Sequence, residues 1–225
     1  KPTVTTIQSG GTFAERRRQE AQDVIDAFRS AAEQAPNDGL AAAQLYFERR
    51  HARDWDGLDE TEEHLEALTQ DAVERGMAPG EHAFIHIARV EDVSANLQVA
   101  RLHAEGISRK LARRGAKPYS HDTEPAPKQR MRLGYLSADF RDHAIGHLIA
   151  GLFAHHDRAG FEVIAYSHGD NDGSSFRQRI VDTVDRFVDL SDLSDEESAQ
   201  QIHEDDVDIL IDLSGQIRGN RLEIM

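Results

Sequence analysis

Four short apolar runs, separated by stretches with helical spacing, constrain the second half of this chain more than any other feature. They are MRLGYLSA (131–138), FEVIAYSH (161–168), RFVDL (186–190) and VDILIDLSG (207–215). Helix-like segments lie between them at about 145–156, 174–185 and 194–204. Strand alternating with helix predicts βαβ units, hence a parallel sheet with helices on its faces. Ser194, with Glu197 three residues later, is a capping signal for the last of these helices. In a parallel sheet the strands end at one edge, and ligands bind in the crevice beyond it. The loops expected there are DFRDHAIGH, SHGDNDGSS and SGQIRGN, which carry His143, His168, Ser214, Gly215 and Gln216.

The first half obeys a different pattern. Ala21, Val24, Ile25, Phe28, Ala31 and Ala32 recur at helical steps, APNDG (35–39) breaks that helix, and LAAAQLYFERRH begins another. Leu65, Leu68 and Ala72 mark a third helix, ended near Gly76 and Pro79. Val93, Leu97, Ala100, Ala104, Ile107 and Leu111 form a stripe along one side of a fourth. Such helix pairs predict the end of a helical repeat array. The segment GAKPYSHDTEPAPKQ (115–129), with three prolines, reads as a linker. The expected organisation is a helical region at 1–115, a linker at 116–129 and an α/β lobe at 130–225.

Charge excludes some partners. Net charge is −15, and from Met131 onward 19 Asp and Glu face 8 Arg and no Lys. That half is a poor match for nucleic acid, which needs clustered Lys and Arg, and a poor clamp for a diphosphate by itself. No apolar run approaches the ~18 residues of a membrane span, so no membrane partner is expected. Cysteine is absent, which removes disulfides and thiolate metal sites and fits a cytoplasmic location.

The histidines are the chemical candidates. His143 and His147 are four apart, as are His82 and His86, but H-E-x-x-H is absent and no third ligand is evident, so no metal is expected. Neither G-x-G-x-x-G, nor a P-loop, nor a G-x-S-x-G elbow occurs. No lysine lies beyond Lys128, which also argues against a phospho-receiver domain. His143 remains as a general base or polar contact, since an imidazole ordinarily titrates near ~6.5. The plainer alternative is that it caps the following helix. His147 falls inside that helix and reads as structural.

GYLSADFRDHAIGHL, followed in order by FEVIAYSHGDNDGSSFRQRI, FVDLS and IHEDDVDILIDLSGQIRGNRLEIM, resembles the catalytic region of the SPINDLY and O-GlcNAc transferase family, glycosyltransferase family 41. Upstream, RDWDGLDETEEHLEAL is similar to the Asp-Trp segment after that family's tetratricopeptide repeats. The resemblance implies the first Rossmann-like lobe of a two-lobed GT-B enzyme, preceded by a tetratricopeptide-like helical region that recruits a protein acceptor. It implies inverting transfer of a sugar, N-acetylglucosamine or a related one, to Ser or Thr. The donor would be a nucleotide sugar such as UDP-N-acetylglucosamine, with no cofactor or metal. His143 matches the family's loop histidine, and Ser214, Gly215 and Gln216 match a loop facing the sugar. The family's eukaryotic members carry His-Pro-Thr-Ser-His where this chain has His143-Ala144-Ile145-Gly146-His147, and a Gly-Tyr-Thr type of sequence where it has SGQI. The style of the sequence looks bacterial. The resemblance places the second, nucleotide-binding lobe beyond Met225, so the chain reads as an N-terminal fragment, inactive alone. A non-catalytic protein-binding module and a stand-alone flavodoxin-like domain are the rival readings.

Overall fold

The computed structural model describes residues 13–120, 128–217 and 219–225. The middle of the expected linker, 121–127, and Arg218 of the SGQIRGN loop lie outside the described residues. The chain divides into two compact units, 1–106 and 107–225. The division falls within a helix.

The first unit is helical: α1 (Phe13–Gln34), α2 (Gly39–Ala52), α3 (Leu58–Glu74), the short α4 (Ala83–Ile87) and the start of α5 (Val93–Arg114). Asp38, in the APNDG break, caps α2 by accepting from the Leu40 and Ala41 N–H groups at 2.9 and 3.3 Å. Ala42, Ala43, Tyr46, Leu58, Leu65 and Ile85 form its core. Beside it the buried Glu81 carboxylate accepts from Thr69 Oγ1 at 2.9 Å and from Arg89 Nε and Nη2 at 2.9 and 2.8 Å.

Helix α5 spans the expected residues but turns a different face inward. Val93 and Leu97 of the apolar stripe are 79% and 49% exposed, and the buried residues are Val99 and Leu102. The reason is polar. Asn96 donates to the Val90 carbonyl at 2.9 Å and pairs with His86 Nδ1 at 2.6 Å, while His103 Nε2 lies 2.8 Å from the Glu81 carbonyl. These bonds orient the helix, and an apolar stripe read from sequence cannot register them.

The second unit carries a four-stranded, wholly parallel sheet of β1 (Met131–Ser137), β2 (Phe161–Ser167), β3 (Arg186–Asp189) and β4 (Ile209–Asp212), in the order β3-β2-β1-β4. The predicted βαβ alternation is therefore observed. Helix α6 (Ala144–Ile149) and a 3₁₀ turn (Phe153–His155) replace the single helix expected over 145–156, and Gly151 marks the break. Helices α7 (Ser175–Thr183) and α8 (Asp195–Glu204) match expectation, and Ser194 with Glu197 forms the full capping box.

Alternate side chains of each strand enter opposite faces. Leu133, Tyr135, Val163 and Ala165 join Phe140, Phe153 and Ile180 on one side. Leu136, Ile164 and Tyr166 join Leu190, Ile202 and Ile224 on the other. Helices cover both faces, as an all-parallel sheet requires.

Candidate functional site at the C-terminal edge of the sheet

The register aligns the strand ends. Ser137 is paired with Ser167, Ser167 with Asp189, and Leu136 with Asp212. The turns bearing His143, His168 and Ser214–Gln216 therefore leave one edge of the sheet, as expected. The strand order adds what the sequence did not supply. The chain moves outward from β1 through β2 to β3, then returns to place β4 on the other side of β1. The crevice between β1 and β4 is thus the topological switch point, where open α/β sheets bind ligands. The His143 turn and the Ser214 turn flank it.

The turn after β1 is held tightly. The Asp139 N–H donates to Ser137 Oγ at 3.0 Å, and Asp139 itself is buried. Gly146 permits α6 to lie directly on this turn, because a Cβ there would stand 2.1 Å from the Arg141 carbonyl oxygen. His143 is the N-cap of α6, its Nδ1 accepting from the Ile145 N–H at 3.3 Å. The capping role is thus real, and it leaves the partly exposed imidazole at the rim. Asp139 Oδ2 lies 3.4 Å from the same Nδ1, and Asp139 Oδ1 accepts from Arg141 Nη2 at 3.1 Å.

His147 does structural work. Its Nε2 lies 2.6 Å from Asp142 Oδ1, and its ring stacks on Phe176 of α7 with centroids 3.9 Å apart. The Asp142 N–H donates to Asp172 Oδ2 at 2.8 Å, tying the β1 turn to the β2 turn. His143 and His147 are therefore turned to different partners. His86 pairs with Asn96, and His82 stacks on His103. Among the described residues, no group of three or more His, Asp or Glu side chains is arranged to hold a metal ion.

The turn after β4 is built by Asp212. Its Oδ1 accepts from the Ser214 N–H at 3.1 Å and its Oδ2 from the Gly215 N–H at 2.6 Å. Gly215 has φ of 56°, a left-handed conformation that suits glycine. Ser214 Oγ is buried without a hydrogen-bond partner among the described residues, and Gln216 follows, partly buried.

The β2 turn presses on the β1 turn, since a Cβ at Gly169 would stand 1.9 Å from the Ala138 carbonyl oxygen. His168 Nε2 is buried and also lacks a partner there. Burial, reinforced by the charge of Arg221, pushes its imidazole below the usual histidine range, which favours the neutral ring. A cleft of about 580 Å³ opens beside it, lined in part by Ser191, Asp195 and Arg221. Arg221 is committed to the fold: it donates to Asp195 Oδ1 at 2.7 Å and to the Leu193 and Leu190 carbonyls at 2.7 and 3.1 Å.

Asp139 and Arg177 also shape this edge and are not among the residues expected there from the sequence. The signal for Asp139 was its place four residues before His143. Arg177 carried no signal: it is buried, donates to Ser167 Oγ at 3.0 Å and Asp189 Oδ2 at 2.8 Å, and lies over the Phe187 ring. It fastens the ends of β2 and β3 to α7.

Among the described residues no helix is long and apolar enough to cross a membrane. The family model for glycosyl transferase family 41 matches residues 52–225. A probable UDP-N-acetylglucosamine–peptide N-acetylglucosaminyltransferase SEC of Arabidopsis thaliana is 31% identical over 175 residues, 76% of this chain and 18% of that protein. The UDP-N-acetylglucosamine–peptide N-acetylglucosaminyltransferase of Caenorhabditis elegans is 30% identical over 176 residues, 76% of this chain and 15% of that protein. This chain therefore spans less than a fifth of the length of either relative. A mutant of the Thermobaculum terrenum O-GlcNAc transferase shares the fold, with a TM-score of 0.51 and 22% identity over 93% of this chain and 45% of that one. The match of the family model over residues 52–225, most of the sequence, means that the chain belongs to glycosyl transferase family 41.

Proposed function

We propose that this chain is part of a protein O-glycosyltransferase that moves a sugar from a nucleotide donor to a Ser or Thr hydroxyl of a protein acceptor. The donor is a nucleotide sugar of the UDP-N-acetylglucosamine kind, a substrate named for the Arabidopsis and Caenorhabditis relatives. The helical region, 1–115, acts as the tetratricopeptide-like surface that recruits the acceptor. The lobe at 130–225 presents the acceptor side of the cleft.

The observation that supports this reading most is the flanking of the β1–β4 crevice by the His143 and Ser214 turns. His143 Nε2 takes the proton of the acceptor hydroxyl, and the freed oxygen attacks the anomeric carbon from the face opposite the diphosphate. The sugar is thereby inverted. The Ser214–Gln216 turn, with the exposed Gly215 at its tip, contacts the sugar, and the buried Ser214 hydroxyl joins that contact by turning outward. The acidic second half, with 19 Asp and Glu against 8 Arg, leaves stabilisation of the departing diphosphate to groups outside this lobe.

The test is sugar transfer by the full-length gene product carrying His143→Ala. A positioned base contributes ~10²–10⁴-fold, so turnover falls by that order while binding of the nucleotide sugar is retained. Unchanged turnover removes His143 from the chemistry.

A further inference from the structure

We infer that Asp139 is the positioning residue of His143, receiving its Nδ1–H when the ring takes up a proton. This rests on His143 being the base. In the structure Nδ1 is used as an acceptor by the Ile145 N–H, at 3.3 Å. A neutral imidazole has one N–H, so a ring whose Nδ1 accepts carries its hydrogen on Nε2. That nitrogen then has no lone pair for an incoming proton. For Nε2 to act, the hydrogen must sit on Nδ1. Two donors, Nδ1–H and Ile145 N–H, cannot share a bond, so the cap is released and Nδ1–H needs another acceptor. Asp139 Oδ2 stands 3.4 Å away.

Asp139 is held for this task. It is 6% exposed, its N–H is fixed on the fully buried Ser137 hydroxyl, and its Oδ1 is engaged by Arg141. Those contacts leave Oδ2 as the oxygen directed at the imidazole. The acceptor O–H bond breaks and an Nε2–H bond forms. The acceptor oxygen bonds to the anomeric carbon as the carbon–phosphate-oxygen bond breaks, and the diphosphate departs with that electron pair. The imidazolium, with hydrogen on both nitrogens, faces the Asp139 carboxylate. The extra proton later passes to solvent. His143 thus alternates between capping α6 at rest and pairing with Asp139 during transfer.

The experiment uses the full-length gene product. Asp139→Asn retains size and removes charge. It should lower kcat on the order of 10²-fold or more with little change in the KM for the nucleotide sugar, and Asp139→Glu should restore part of the loss. The double variant with His143→Ala should be no slower than His143→Ala alone, because the two residues act as a unit. Wild-type kcat in a folded Asp139→Asn protein, or additive losses, would overturn the assignment even if His143→Ala is inactive. Wild-type kcat in His143→Ala overturns instead the reading of His143 as base. Should Asp139→Asn fail to fold, chemical rescue decides the matter. In His143→Ala with Asp139 intact, imidazole should restore transfer and 1-methylimidazole, which has no N–H for Asp139 when neutral, should not. Equal rescue by both, or rescue by neither, counts against Asp139.

Discussion

The carbonyl of Arg141 lies so close to the Gly146 backbone that no side chain fits between them: a Cβ on Gly146 would stand 2.1 Å from that oxygen and 3.1 Å from the Asp139 carbonyl oxygen. The contact places α6 on the turn that carries Asp139 and His143. Gly146→Ala must push the turn and the helix apart. A shift of this kind costs about 1–3 kcal/mol, read as a lower Tm, and under the role proposed for His143 sugar transfer by the full-length gene product falls with it. An unchanged Tm would show that the turn yields freely and does not hold the ring.

Ser214 separates stability from function. Its hydroxyl is buried without a partner among the described residues, which is unfavourable for the fold. Ser214→Ala removes that group and should raise stability by about 1 kcal/mol. If the hydroxyl turns outward to the sugar, as proposed, the same variant of the full-length gene product transfers more slowly. Denaturant melts and initial rates on one preparation check both. A variant that is less stable but fully active contradicts each half of the prediction.

Asp185 makes the second unit sensitive to acid. Burial alone would raise its carboxyl, but the Val163 N–H at 2.8 Å, Arg130 at 3.0 Å and the Arg158 and Arg130 charges hold it below the ordinary range. A carboxyl held low in the folded state contributes stability above its unfolded value, near ~3.9. That contribution is lost as pH falls through the folded value, because the unfolded chain then binds more protons. Asp185→Asn should lower stability at neutral pH and flatten the loss seen below about pH 4. Urea titrations from pH 7 down to pH 3 give the comparison. Parallel curves for the two proteins would contradict it.

Glu81 and Arg89 form the charged centre of the helical unit, their side chains 0% and 3% exposed and 2.8 Å apart. Glu81→Ala strands the Arg89 guanidinium, with Glu66 as its remaining carboxylate at 2.7 Å. Losing one partner of such a pair costs roughly 3–5 kcal/mol. The expected readout is early loss of helical circular dichroism on heating, checked against Glu66→Ala, where the partly exposed carboxylate matters less. Equal effects of the two variants would mean that burial does not set the strength of this pair.

Residue pattern is enough to give the alternation of strand and helix after Met131, the strand limits to within about two residues at most ends, and the Ser194 cap. These are local properties: side-chain period, turn residues and capping chemistry act within a few positions of one another, and a parallel sheet follows from them. It also set His143 and Ser214 at strand ends. The remaining features come from long-range contacts. The order β3-β2-β1-β4 arises from which strands pair, and it selects the β1–β4 crevice from three possible ones. The inward face of α5 is chosen by Asn96 and His103 bonding to distant backbone and side chains, against the apolar stripe that contains Val93 and Leu97. The approach of Asp139 to His143 depends on Gly146 admitting the Arg141 carbonyl. Each of these is a contact between groups whose proximity only folding creates, so hydrophobic period and motif spacing hold no record of them.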